Sequence, residues 1–180
     1  MSMPENLKAK IREIKDFPKP GIGFKDIVPV LQDPVLFRYV IDRMTEWAGR
    51  LKADIIVGIE SRGFIFAAPV AYRMNLGMSV IRKKGKLPFD TVCVKAPNEY
   101  AVEYFEMHTD SFPQGSRVAI VDDLIATGSS SIAAIDLVKN LGGTPAGFGA
   151  LVDLSFLNGM AAIRAAHADV NVFSLISFEE

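Results

Sequence analysis

The stretch IVDDLIATGSSS, residues 120–131, constrains this chain more than any other. RVAIVDD (117–123) reads as a buried strand ending in two carboxylates, LIATG as a turn, and SSSIAAIDLVKNLGG (129–143) as a helix closing on glycine. Ala126, Thr127, Gly128, Ser129 and Ser130 can wrap their backbone N–H groups around an anion, with three hydroxyls as added donors. The helix N-terminus that follows favours negative charge by about 0.3–1 kcal/mol at an exposed site. Such a loop is a phosphate cup. Asp122 and Asp123 would repel the same phosphate, so they suit sugar hydroxyls or a developing positive charge. The run therefore points to a phosphorylated sugar whose reaction passes through a cation.

The remainder of the chain supplies the scaffold such a run needs. Leu7, Ile11 and Ile14 stand at helical spacing among charges, which predicts a short amphipathic helix over 5–16. FPKPGIGFKDIVP (17–29) holds three prolines and two glycines, which forbid a long regular element, yet it is rich in Phe, Ile and Val. Asp33-Pro34 reads as an N-cap with proline at the first helical position. Phe37, Val40, Ile41, Met44, Trp47 and Ala48 then give a buried stripe to about residue 50. ADIIVGIE (53–60) and MSVIR (78–82) read as strands, with a turn and a helix in 61–77 between them. Residues 83–100 show no clear period, while 146–152 and 170–177 read as two more strands with a helix between. Strands alternating with helices predict an α/β fold on a mainly parallel sheet. Ligands of such sheets bind beyond the carboxyl ends of the strands, where ESRGF and DDLIATGSSS both fall.

Composition narrows the classes of function. At 180 residues, 49% hydrophobic and 23% charged, the chain suits one globular domain. A formal net charge of −1 argues against a broad electropositive face for nucleic acid. One cysteine, Cys93, excludes an internal disulfide framework and a cysteine-based zinc site. No apolar run approaches the ~20 residues of a membrane span, and MSMPENLKAKIREIKD lacks a signal-peptide core, so a cytoplasmic protein is expected. His108 and His167 are too isolated to suggest a metal pair. Gly85-Lys86 is followed by Leu87, and position 80 is Val, so no P-loop is present; G-x-G-x-x-G is absent too. The cluster Arg82, Lys83, Lys84 and Lys86, a solvated charge run in isolation, gains meaning beside a phosphate cup.

VAIVDDLIATGSS resembles the phosphoribosyl-pyrophosphate signature of type I phosphoribosyltransferases. FPKPGIGFKDI, GIESRGF, VIRKKGKLP and EMH are similar to segments of the adenine phosphoribosyltransferase group, from about residue 17 to the C-terminus. The resemblance implies a type I phosphoribosyltransferase fold, 1–180 as one domain, with a small N-terminal hood (1–33) and a flexible lid loop (83–106). It implies transfer of the phosphoribosyl group to adenine, giving AMP and pyrophosphate. Ala126 to Ser130 would hold the 5′-phosphate, and Asp122 and Asp123 would face the ribose hydroxyls. Ser61 and Arg62 belong to a pyrophosphate loop, Glu60 to Gly63, that often keeps a non-proline cis peptide in this family. Arg82, Lys83 and Lys86 would reach pyrophosphate, Arg82 in the neighbouring subunit of a homodimer. Mg²⁺ would be held mainly by pyrophosphate, hydroxyls and water rather than by protein ligands.

The same resemblance assigns Glu99 as general acid/base near the purine imidazole nitrogens and Tyr100 to closing the lid; Glu103-Tyr104, four residues on, is read as a decoy. Transfer of a ribosyl cation must exclude water, so a covering segment is chemically required. Base selection is expected from the main chain of Ile22 to Lys25 (Gly23, Phe24 and Lys25 within it), with Phe24 and Leu154 packing nearby. The chain departs from the family pattern at Gly23, Ala96, Asn98 and Ala101. Two alternatives stand beside adenine transfer: another purine base (hypoxanthine, guanine or xanthine), and a nucleotide-sensing regulator on the same fold.

Overall fold

The computed structural model describes residues 2–21, 23–97 and 102–179. The chain opens with α1 (Met3–Lys10), whose Ser2 and Glu5 form a reciprocal capping box. This helix is shorter than expected. Ile11 leaves helical geometry at φ −71°, ψ 122°, and β1 (Arg12–Ile14) then pairs antiparallel with β2 (Phe24–Asp26). Cross-strand pairing thus overrides the helical spacing of Ile11 and Ile14. A four-residue α2 (Val28–Leu31) leads to α3 (Pro34–Arg50). Asp33 caps α3 as the sequence predicts, accepting from the N–H groups of Val35 at 3.0 Å and Leu36 at 3.1 Å.

The main sheet begins with β3 (Ile55–Ile59), followed by α4 (Gly63–Met74) and β4 (Gly77–Lys83). Then come β5 (Thr91–Lys95), β6 (Tyr104–His108), β7 (Arg117–Ile125), α5 (Ser129–Asn140) and β8 (Thr144–Leu154). A 3₁₀ turn (Ser155–Leu157), α6 (Gly159–Ala166) and β9 (Asn171–Phe178) complete it. The spatial order is β5-β6-β4-β3-β7-β8-β9. The pairs from β4 through β9 across the middle are parallel, while β6 lies antiparallel to both β4 and β5. A mainly parallel sheet is as expected; the β5–β6 pair is not, because residues 83–106 were read as loop. In TVCVK, Val92 and Val94 are half-buried while Cys93 and Lys95 are exposed, a strand alternation too short to stand out between KKGK and two prolines.

Both faces of the sheet are covered. Ile56, Ala119 and Val121 join the cluster of Val40, Met44, Trp47 and Phe66 on the α3–α4 side. Val57, Ile59, Val118 and Ile120 pack with Ala134, Ile135, Leu137 and Ile163 on the α5–α6 side. Two buried faces explain why the central strands are near-continuous apolar runs. From β3 the chain crosses by α4 to β4 on one side; from β7 it crosses by α5 to β8 on the other. The carboxyl ends of β3 and β7 therefore flank the point where strand order reverses. That is where an open α/β sheet forms its crevice.

Candidate active site

A cavity of about 500 Å³ opens at this point, within the range of small-molecule sites. Glu60, Ser61 and Arg62 form one wall, Asp122 and Asp123 the floor, Ala126 to Ser130 the opposite wall, and Lys83 and Glu103 the rim. The loop after β3 carries a cis Glu60–Ser61 peptide, the feature expected of it. Gly63 starts α4 hard against β7: a Cβ there would sit 2.7 Å from the Val121 carbonyl oxygen and 3.0 Å from Asp122 Oδ1. Only a residue without a side chain lets helix and strand end meet so closely.

The acid pair is buried, with Asp122 8% and Asp123 5% exposed. Asp122 Oδ1 accepts the Asp123 N–H at 2.8 Å, and Asp123 Oδ2 lies 3.1 Å from Arg62 Nη2. Burial, then the neighbouring Asp123 charge, pushes the Asp122 carboxyl well above the ordinary carboxylate range. Burial raises Asp123 as well, and the Arg62 guanidinium opposes it. Such a pair favours a cation or hydroxyl donors placed against it.

In the cup, Gly128 takes φ +85° and begins α5; a Cβ on it would meet the Gly159 carbonyl oxygen at 2.8 Å. The first turn of α5 has neither a side-chain cap nor an acidic residue, so its N-terminal donors face no built-in anion. Thr127 Oγ1 and Ser129 Oγ lie 3.0 Å apart, and Ser129 donates to the Pro97 carbonyl at 2.8 Å. The Ala126–Ser130 loop, the buried acids and Arg62 line one cavity.

The basic cluster is tied down by acids the sequence reading passed over. Arg82 grips Glu60 with Nε at 3.2 Å and Nη2 at 3.1 Å, and Lys83 N–H donates to the same carboxylate at 3.0 Å. Arg82 and the Lys83 N–H thus hold Glu60 below the usual carboxylate range. Lys83 Nζ pairs with Glu103 Oε1 at 2.8 Å. Glu103, read from sequence as a decoy, therefore stands at the rim. Its signal was position alone: four residues past Glu99 and just ahead of the strand that pairs beside the basic turn. Arg82 and Lys86 do not line the cavity.

Gly23, Phe24, Lys25 and Leu154, expected from the resemblance to select the base, lie outside the cavity wall. Phe24 reaches it through Arg62, whose guanidinium sits 5.0 Å from the ring centre, and Phe17 packs edge-on against Phe24 at 5.2 Å. Lys25 is buried, 3.1 Å from Glu13 and 4.4 Å over the Phe178 ring. Leu154, buried, is the strand partner of Phe178 on β9, so Lys25 of β2 meets the sheet end there. Glu99 and Tyr100 lie outside the described residues.

Residues 37–178 match the model of the phosphoribosyl transferase domain. Over 174 residues the chain is 47% identical to the adenine phosphoribosyltransferase of Caldicellulosiruptor saccharolyticus, covering 97% of each. Over 177 residues it is 48% identical to that of Anaeromyxobacter dehalogenans, covering 98% of this chain and 100% of the relative. The crystal structure of adenine phosphoribosyltransferase from Rhodothermus marinus matches with a TM-score of 0.92 at 41% identity, covering 98% of both chains. That from Saccharomyces cerevisiae, in complex with adenine and an imino-altritol bisphosphate, matches with 0.86 at 36% identity, covering 97% of this chain and 98% of that one.

Proposed function

Because the chain belongs to the phosphoribosyl transferase family, in its adenine phosphoribosyltransferase branch, we propose that it transfers the 5-phosphoribosyl group of phosphoribosyl pyrophosphate to adenine. The products are AMP and pyrophosphate. The observation that carries this reading is the buried Asp122–Asp123 pair running directly into the Ala126–Ser130 cup within one cavity. A phosphate held by the cup sets the ribose over the two acids, whose oxygens accept the 2′- and 3′-hydroxyls.

The bond from C1′ to the pyrophosphate oxygen breaks, and its electron pair leaves with pyrophosphate. Positive charge then spreads over C1′ and the ring oxygen, beside carboxylates whose empty-state preference for a proton reverses in favour of the cation. Adenine N9 attacks C1′ and releases its proton, a task we assign to Glu99. Arg62, Lys83 and Lys86 meet the leaving pyrophosphate, which displaces Asp123 from Arg62 and Glu103 from Lys83. Among the described residues no group of three or more His, Cys, Asp or Glu could cage a metal. Mg²⁺ would come with the substrate, held mainly by phosphate, hydroxyl and water oxygens rather than by protein ligands. When bound it neutralises charge on the leaving group.

Residues 83–106 serve in this reading to cover the reacting centre. Supporting this, Pro97 touches Ser129 of the cup and Glu103 touches Lys83, so both sides of the segment already meet the cavity. Residues 1–33 serve as the hood over the base, with Phe24 against Arg62 as its point of entry. A homodimer is proposed on the exposed apolar side chains Val35 and Tyr72 of α3 and α4, 64% and 87% exposed. For Arg82 to serve a neighbouring site it must leave Glu60. Among the described residues no helix is long and apolar enough to cross a membrane, and a cytoplasmic setting suits the single, exposed, unpaired Cys93.

Kinetics of Asp122→Asn and Asp123→Asn test the reading. Each is expected to lower kcat by about 10²–10³, the cost of removing one charge-stabilising group. Full activity in both variants would overturn the assignment.

A further inference from the structure

The basic turn after β4 leans on a carboxylate that the reaction as drawn does not use. Glu106 stands in the middle of β6 between Phe105 and Met107, both core residues, and is itself only 5% exposed. Strand alternation turns it to the face opposite theirs. It is the register partner of Arg82 on β4, which brings it beside the start of the turn. There Oε1 accepts two backbone N–H groups, those of Lys86 and Leu87, each at 2.9 Å. Burial alone would raise this carboxyl, but the N–H donors of Leu87, Gly85 and Lys86 outweigh it and hold the group below its ordinary range. Glu106 is therefore an anion.

The opposite side of the turn is gripped as well. Arg82 Nη1 donates to the Lys86 carbonyl at 3.0 Å, so Lys86 is fixed at both its N–H and its C=O. Glu60 takes the Arg82 head and the Lys83 N–H. Between these two carboxylates the chain reverses through Gly85 at φ +84°, a conformation suited to glycine. A covered carboxylate is costly unless hydrogen-bonded, and here the bonds it accepts among the described residues hold the shape of one loop.

We propose that Glu106 is a positioning residue for the leaving pyrophosphate, holding the Lys83–Leu87 turn in the shape that presents Lys83 and Lys86 to it. The ordering of this turn is then completed during folding rather than at binding, which favours affinity for the anion. The inference rests on the proposed reading that Lys83 and Lys86 meet the leaving pyrophosphate.

Steady-state kinetics on Glu106→Met, Glu106→Gln and Lys86→Ala separate the two ideas. Methionine keeps length and packing but offers no comparable acceptor; it is expected to raise KM for phosphoribosyl pyrophosphate about tenfold or more, with KM for adenine changed less than about twofold. Glutamine, whose amide oxygen accepts the same two N–H groups, is expected to restore that KM to within about threefold. A merely structural role would lower the active fraction, and so kcat, and leave KM unmoved. If Lys86→Ala leaves KM for phosphoribosyl pyrophosphate unchanged, the reading that this turn meets pyrophosphate fails. If Lys86→Ala raises it and Glu106→Met does not, the positioning role alone fails. Hydrogen exchange on the unaltered protein decides the matter should Glu106→Met not fold: the Lys86 and Leu87 amides are expected to be protected, and free exchange would overturn the proposal.

Discussion

Asp122 and Asp123 sit side by side under cover, and the Asp122 carboxyl is held well above its ordinary value by burial and by its neighbour's charge. A carboxyl with a raised pKa in the folded state prefers its proton there. As pH climbs past the unfolded value near 3.8, the unfolded chain releases that proton first and folding loses stability. Asp122→Asn removes the penalty, and its amide oxygen still accepts the Asp123 N–H. The variant is expected to be more stable than the parent at neutral pH, with the difference shrinking as pH falls toward 3.8. Denaturant melts across that range check this; a variant less stable at every pH would show that the pair stabilises the fold. The acid pair and the loop after it are legible from IVDDLIATGSSS, because they are contiguous in sequence. The tethers Glu60, Glu103 and Glu106 are not. Their partners are 19 or more residues away, and an isolated glutamate reads as surface.

At the scale of elements, function depends on how closely helices meet strand ends. Gly63 lets α4 abut β7, and Gly63→Ala would press a methyl group onto the Val121 carbonyl and Asp122. We expect a loss of roughly 1–3 kcal/mol in stability, as overpacking costs. Activity should fall further than the folded fraction, since Asp122 must move. Equal losses of both would mean that Asp122 tolerates displacement. The β5–β6 pair supplies another element-scale test. Glu103, just ahead of β6, would compete with pyrophosphate for Lys83 on the proposed reading, in an exposed pair of the kind worth about 0.2–1 kcal/mol. Glu103→Gln is expected to lower KM for phosphoribosyl pyrophosphate by up to about fivefold; a higher KM would make Glu103 part of the binding surface instead. Helices α3, α4 and α5 were legible because each has a start or stop signal: Asp33-Pro34, the glycine of ESRGF, and the paired glycines 142–143. The strands β1, β2, β5 and β6 were not, since three to five residues hold too little period to compete with nearby prolines and charges.

Across the whole molecule, the order of strands does what no local segment can. Crossing one way from β3 and the other way from β7 opens the crevice between their carboxyl ends. It sets the Arg62 loop against the phosphate cup, more than 60 residues distant in sequence. Alternating strands and helices made the parallel sheet legible, but its order comes from handed crossovers and from covering both faces. Residues 17–29 were legible only as a proline-rich stretch too apolar for a linker. Its contact through Phe24 and Arg62 required the fold. The central claim is that this crevice transfers phosphoribose to adenine, and product analysis tests it most directly. The protein is supplied with Mg²⁺, phosphoribosyl pyrophosphate and adenine, hypoxanthine, guanine or xanthine separately, and nucleotide and pyrophosphate are measured. AMP and pyrophosphate in equal amounts, with adenine alone, is the predicted result. No turnover with any base, in a protein that still binds phosphoribosyl pyrophosphate, would contradict it and make the crevice a sensor.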